Sequence, residues 1–285
     1  MSTNLLNAPF TLPCGATLKN RLVKAAMTER IGDRKNQAVK EHDHLYETWA
    51  NSGAGLLITG NVIIDRTHLE SACNVVFDDQ TNIDKLRSWA EAGKKHDTHI
   101  WVQISHGGRQ TNMVNAFRPK APSAVRLKKL GLFGKPKSMT EADIQAVIDG
   151  FVNGAVIAQK AGFTGIQIHS AHGYLLSQFL SPITNRRTDQ WGGSIENRSR
   201  LLLTIIQLVR KEVGPEFAIS VKLNSSDFQK GGFTEEESLE VIKKLDQAGI
   251  DLLEISGGTY DKVAFLMMND QEEPLRESTR AREAY

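Results

Sequence analysis

Six short apolar runs, each followed by a stretch of helical periodicity, recur from end to end of the 285-residue chain. They are RLVKAAM from Arg21, GLLITGNVII from Gly55, HIWVQISH from His99, TGIQIHS from Thr164, FAISVKL from Phe217 and DLLEIS from Asp251. Runs that are apolar on both faces read as strands buried between helices, and strands separated by helices pair in parallel. The intervening stretches carry their own punctuation. Thr140 with Asp143 opens a helix that Gly162 stops, and Thr234 with Glu237 opens another that Gly249 stops. From Ser194 to Val213, residues Leu201, Ile205, Leu208 and Val209 share one face. HDHLYETWANSG and TNIDKLRSWAEAGKKHD supply two more helices. This unbroken rhythm predicts an α/β fold of the (β/α)8, TIM-barrel type first and a doubly wound sheet second. No G-x-G-x-x-G follows the first strand, so the dinucleotide fingerprint of the second is missing.

Charge and composition narrow the function classes. With 35 basic and 33 acidic residues, nothing in the whole-chain balance calls for nucleic acid. Two cysteines, Cys14 and Cys73, leave no room for a disulfide scaffold or a cysteine-held cluster. MSTNLLNAPF has no basic-then-apolar signal pattern, and no apolar run reaches the roughly 18 residues of a membrane span. The expectation is a cytoplasmic protein without a membrane partner. One segment stands apart: from Gly107 to Met139 there are eight basic residues and no acid. It reads as a solvated loop, or as a lid whose charge attracts an anionic substrate or a nicotinamide cofactor phosphate.

In a (β/α) barrel the chemistry sits at the carboxyl ends of the strands. Five of those ends carry polar groups beside buried runs: Thr28-Glu29-Arg30; Gln103 and Ser105-His106; Gln167, His169, His172 and Tyr174; Lys222 and Asn224; Ser256 and Thr259. Unpartnered buried polar groups are costly, so the pattern fits a ligand pocket. His169 and His172 read as metal ligands, as core histidines or as a donor pair for one oxygen. No H-E-x-x-H or carboxylate partner accompanies them, and no metal is expected. As donors they would polarise a carbonyl or nitro group under hydride attack, with Tyr174 placed to protonate the neighbouring carbon. Lys222 reads as a fixed charge beside an anionic cofactor, as a surface cation or one half of an ion pair within the barrel, or as the Schiff-base amine of a flavin-free lyase or isomerase.

At these residues the sequence resembles the old yellow enzyme family of FMN-dependent NADH:flavin oxidoreductases. HSAHGYLLSQFLSPITNRRTDQWGGSIENRSRL, from His169 to Leu201, is similar to the family signature. NRLVKAAMT from Asn20, VQISHGGRQ from Val102, APSAV from Ala121 and VKLNSSDFQKGGF from Val221 support it across nearly the whole chain. The resemblance implies FMN, with NADH or NADPH as electron donor and a small enone-like electrophile as acceptor. It implies flavin contacts at Ala26, Met27 and Thr28, at Gly60, at Gln103 on the pyrimidine edge, and at Lys222 where many members have arginine. His169 and His172 would bind the substrate oxygen and Tyr174 would donate the proton.

Length completes the expectation. From Leu22 to Leu252 five repeats take 230 residues, about 46 each, and only 29 residues follow Ser256. The chain is thus expected to be a single domain over 1–285 with about six of eight β/α units, REAY opening the sixth helix. Strands seven and eight would be missing, and with them the loops that the resemblance implies hold the FMN phosphate. Such an open sheet exposes edges and apolar interior, predicting weak FMN binding and association with a partner or a second copy. A non-catalytic remnant of the family is the alternative.

Overall fold

The computed structural model describes residues 5–128 and 131–261. Its central sheet runs through β1 (Val23–Lys24), β2 (Leu56–Ile63), β3 (His99–Ser105), β4 (Gly165–Ser170), β5 (Ala218–Asn224) and β6 (Leu252–Ser256), with a two-residue strand, Val75–Val76, added beside the end of β2. All neighbours pair in parallel, and the spatial order follows the chain order without a reversal. A doubly wound sheet reverses strand order at a switch point; this sheet instead curls in one direction as part of a (β/α)8 barrel. Leu56, Ile58, Trp101 and Ala218, from three different strands, meet in one inner cluster with Leu12 and Leu18. The last two belong to the segment around a small hairpin, Phe10–Thr11 with Thr17–Leu18, which packs under the amino ends of the strands.

The helices are α1 (Lys40–Ala50), α2 (Ile83–Gly93), α3 (Glu141–Ala161), α4 (Leu175–Leu180), α5 (Ile195–Val213) and α6 (Glu235–Gln247). Their apolar faces pack on the outward side chains Ile100, Val102, Ile104, Ile166, Ile168, Ile219 and Val221. The expected caps form: Thr140 and Thr234 close reciprocal capping boxes with Asp143 and Glu237. Gly162 ends α3 at φ 89°, a left-handed conformation in which a Cβ would be strained. At the amino rim Arg210 pairs with Asp251 at 2.6 Å, while the Asp251 carboxylate also accepts from the Ile219 amide at 2.8 Å.

Two expectations change. The run from Arg21 to Met27 contributes only two strand residues, and Leu22 and Val23 are exposed. Among the described residues β1 pairs on one side only, so half its ladder faces away from the sheet. Lys24 turns outward instead, with Nζ 3.9 Å from the Trp49 ring centroid on α1 and 3.1 Å from the Ile58 carbonyl oxygen. The opposite edge, β6, likewise leaves Ile255 exposed. The segment from Gly107 is not uniformly solvated either: Arg109 is buried and ion-paired with Asp261, and Lys120 pairs with Asp143 at 2.6 Å. The REAY helix lies outside the described residues.

Candidate active site

Strand alternation and register put Gln103, Gln167 and Ser220 in one inward row, with His169, Lys222 and Glu254 in the row above. His169 and Lys222 are direct register partners across β4 and β5. After β4 the chain turns through His172, whose φ of 60° is rare for a residue with a Cβ and costs backbone strain. Bonds on both sides hold that turn. The His172 amide donates to Asn224 Oδ1 at 3.1 Å, and Gln110 Nε2 donates to the His172 carbonyl at 3.0 Å. Helix α4 then starts directly behind Tyr174, its Leu175 amide donating to the His106 carbonyl at 3.1 Å.

This turn stacks the three expected catalytic rings. His169 lies edge-on to His172 at 5.2 Å and to Tyr174 at 4.8 Å between centroids. Burial, with His172 and Lys222 nearby, pushes the His169 pKa well below its ordinary value. Burial and Lys222 bring His172 down to about 3. Both imidazoles are therefore neutral near pH 7. His169 Nδ1 accepts from the Ala171 amide at 3.3 Å, so its proton resides on Nε2, available for donation. His172 Nε2 lies 2.6 Å from the Ser256 hydroxyl. Tyr174 is held well above its ordinary pKa by burial, Glu70 and Tyr260, which keeps its phenol protonated.

The expected cofactor residues surround the same rim. Lys222 Nζ is 2.8 Å from Glu254 Oε1, so the ion-pair reading of this lysine holds and its ammonium is committed to a carboxylate. Gln103 Nε2 donates to Gln167 Oε1 at 2.6 Å. Ala26 packs on the inner cluster, Met27 is 57% exposed and Thr28 is half-buried. Gly60 has a packing role, since a Cβ there would overlap the Met27 carbonyl oxygen and the Thr28 Cα. Its amide donates to Glu29 Oε1 at 3.1 Å, which Tyr46 also reaches at 2.5 Å. Gly60 thus lets the Met27–Glu29 segment lie against β2. Lys222, Gln103 and Thr28 offer a cation, an amide and a hydroxyl, and Met27 an exposed thioether, groups whose chemistry suits the polar edge and apolar face of an isoalloxazine ring. Glu254, Ser256 and Tyr260 complete the rim; period-two alternation along DLLEIS is the signal that would have marked Glu254.

A second cluster was not legible in the sequence. Asp65, His68 and His106 bring ligating atoms within 4.8 Å of one another. Yet His68 Nε2 accepts from the Lys120 amide at 2.9 Å, and His106 Nδ1 accepts from the Gly108 amide at 3.0 Å. Each ring proton is therefore on the nitrogen facing Asp65, where a metal would need a lone pair. Metal-bound imidazoles show the opposite polarity, donating from their far nitrogen. The cluster instead holds a carboxylate: burial opposes ionisation of Asp65, but the His106 imidazole 3.6 Å away and the hydrogen-bonded His68 carry its pKa well below the usual range.

Among the described residues no helix is long and apolar enough to cross a membrane. The chain is 37% identical over 286 residues to the NADH-dependent flavin oxidoreductase iliE of Hypocrea jecorina, covering 90% of this chain and 69% of that protein. It is 35% identical to an NADPH dehydrogenase of Geobacillus, covering 97% of this chain and 79% of the relative. A structure of 2-naphthoyl-CoA reductase with 2-naphthoyl-CoA superposes with a TM-score of 0.85 at 28% identity, over 90% of this chain and 41% of that one. The model of the NADH:flavin oxidoreductase / NADH oxidase family matches residues 6–279. The chain belongs to this family of FMN-dependent oxidoreductases, the old yellow enzymes.

Proposed function

We propose that this protein, loaded with FMN, takes a hydride from NADH or NADPH and reduces an α,β-unsaturated carbonyl or similar small electrophile. The observation that carries the reading is the stack of His169, His172 and Tyr174 beside Lys222 on the carboxyl rim. FMN supplies the hydride-carrying redox chemistry when bound. The protein's part is to bind, orient and supply a proton. Ala26, Met27 and Thr28 line one side of the ring, with Gly60 giving them room. Gln103 meets the pyrimidine edge, and Lys222 places positive charge where the reduced ring carries negative charge. His169 Nε2 donates to the substrate oxygen, and His172 joins it where the Ser256 hydroxyl now sits. Neutral imidazoles suit this task, because they donate without ionising and stabilise charge only as it develops on the oxygen. The Tyr174 phenol keeps its proton until a carbanion-like carbon forms beside it.

The test is spectroscopic. Purified protein with added FMN is expected to show a bound-flavin absorbance band that NADH or NADPH bleaches under anaerobic conditions. An enone such as 2-cyclohexenone should then restore it. Protein that takes up no FMN, or bound FMN that NADH and NADPH fail to bleach, overturns the reading.

A further inference from the structure

The Glu254 carboxylate lies between Lys222, proposed to meet the cofactor, and Gln167, the register partner of Gln103. Its Oε1 pairs with Lys222 Nζ at 2.8 Å, and its Oε2 accepts from Gln167 Nε2 at 2.9 Å. A carboxylate only accepts, so Gln167 must turn its nitrogen toward β6 and its carbonyl oxygen toward β3. Gln103, the register partner of Gln167, must then turn its own nitrogen toward that oxygen, as the 2.6 Å contact records. One acceptor-only group at the end of the chain thus fixes both amides. The atom left at the far end is the carbonyl oxygen of Gln103, an acceptor. The pyrimidine edge of a flavin offers one N–H between two carbonyl oxygens, and only an acceptor satisfies that N–H.

We infer that Glu254 and Gln167 are positioning residues for the flavin. Through Gln167, Glu254 sets which end of Gln103 meets the ring; through Lys222 it offsets part of the positive charge that the reduced ring experiences. The inference rests on the proposed placement of FMN against Gln103 and Lys222. Neither residue touches the substrate oxygen or the proton donor, so their effect reaches the reaction through the affinity and potential of the flavin.

The experiment compares the unaltered chain with Glu254→Gln and Gln167→Leu, measuring the FMN dissociation constant by fluorescence quenching and the midpoint potential against reference dyes. Glu254→Gln removes the offsetting negative charge, and its midpoint is expected to move positive. Gln167→Leu leaves the Lys222–Glu254 pair in place but frees the Gln103 amide; FMN affinity is expected to fall about fivefold, the equivalent of one net hydrogen bond of about 1 kcal/mol. Its potential should move less than that of Glu254→Gln. Failure of the unaltered chain to bind FMN overturns the functional reading itself and is seen before any variant is made. Binding by the unaltered chain with an unshifted midpoint in folded Glu254→Gln overturns the charge role alone. Unchanged affinity in Gln167→Leu overturns the orienting role. Should Glu254→Gln fail to fold by circular dichroism, Glu254→Asp, which keeps the charge and shortens its reach, is measured instead: a midpoint near that of the unaltered chain supports the charge role and a positive shift overturns it.

Discussion

Tyr174 and Tyr260 meet hydroxyl to hydroxyl at 3.2 Å, so the proposed proton donor is hydrogen-bonded to a second phenol just beyond β6. Burial and the neighbouring Glu70 act on both rings and keep Tyr174 protonated. Tyr174→Phe is expected to slow enone reduction by at least about 10²-fold, the usual worth of a positioned general acid. Bleaching of the flavin by NAD(P)H should be unchanged. Tyr260→Phe keeps the donor and should cost far less. Stopped-flow measurement of the two half-reactions separates these outcomes.

His169→Ala combined with His172→Ala removes both proposed donors to the substrate oxygen while leaving Gln103 and Lys222 in place. Enone binding should be abolished and FMN binding retained. Equilibrium titration of each ligand checks this, and unchanged enone turnover in the double variant sinks the assignment.

The depressed histidines give stability a definite pH dependence. Burial first, then the nearby His68, brings His106 down to about 4, and His172 falls to about 3. The unfolded chain titrates these groups near 6.5, so below that pH it binds more protons than the folded protein. Their contribution is complete above about 6.5 and lost as pH falls, down to about 4 for His106 and about 3 for His172. The loss is on the order of a few kcal/mol per group. Urea midpoints between pH 7.5 and 4.5 should fall with acidification, and His106→Gln should flatten that slope.

Arg198 is buried and reaches the Leu180 carbonyl, the Gly193 carbonyl at 2.9 Å and the Glu237 carboxylate, so one guanidinium joins the end of α4, the turn before α5 and the start of α6. Arg198→Met removes this donor from both carbonyls and leaves the Glu237 carboxylate with only its capping bond to the Thr234 amide. It is expected to cost about 3–5 kcal/mol, read from the urea midpoint, as for other broken buried pairs.

Gly60→Ala places a methyl group against the Met27 carbonyl and the Thr28 backbone. Displacing the segment proposed to line the flavin should weaken FMN binding several-fold, and fluorescence titration against the unaltered chain checks it.

Much of this arrangement was legible in the chain. Period and punctuation located β2 to β6, the capping boxes at Thr140 and Thr234, and the glycine stop at Gly162, because each is set by local sterics and hydrogen bonding. The His169–Tyr174 constellation was legible because its residues fall at the end of one strand and in the turn that follows it. What escaped depends on distant partners. Val23 reads as buried until the pairing of β1 is known, and Arg109 reads as solvated until Asp261, 152 residues away, is found beside it. The Asp65–His68–His106 group joins β3 to the segment after β2, and no spacing within either segment announces the contact.

The Arg210–Asp251 pair and the small hairpin lie at the amino rim, whereas His169, Tyr174 and Lys222 lie at the other. Along β5, Ile219, whose amide bonds Asp251, and Lys222, the register partner of His169, are three residue steps apart, roughly 10 Å at the rise of a parallel strand. Substitutions that far apart and without shared partners combine close to additively. The molecule is therefore divisible for an engineer or for evolution: its foundation can be reinforced or weakened at one end while substrate choice drifts at the other, with little interference between the two.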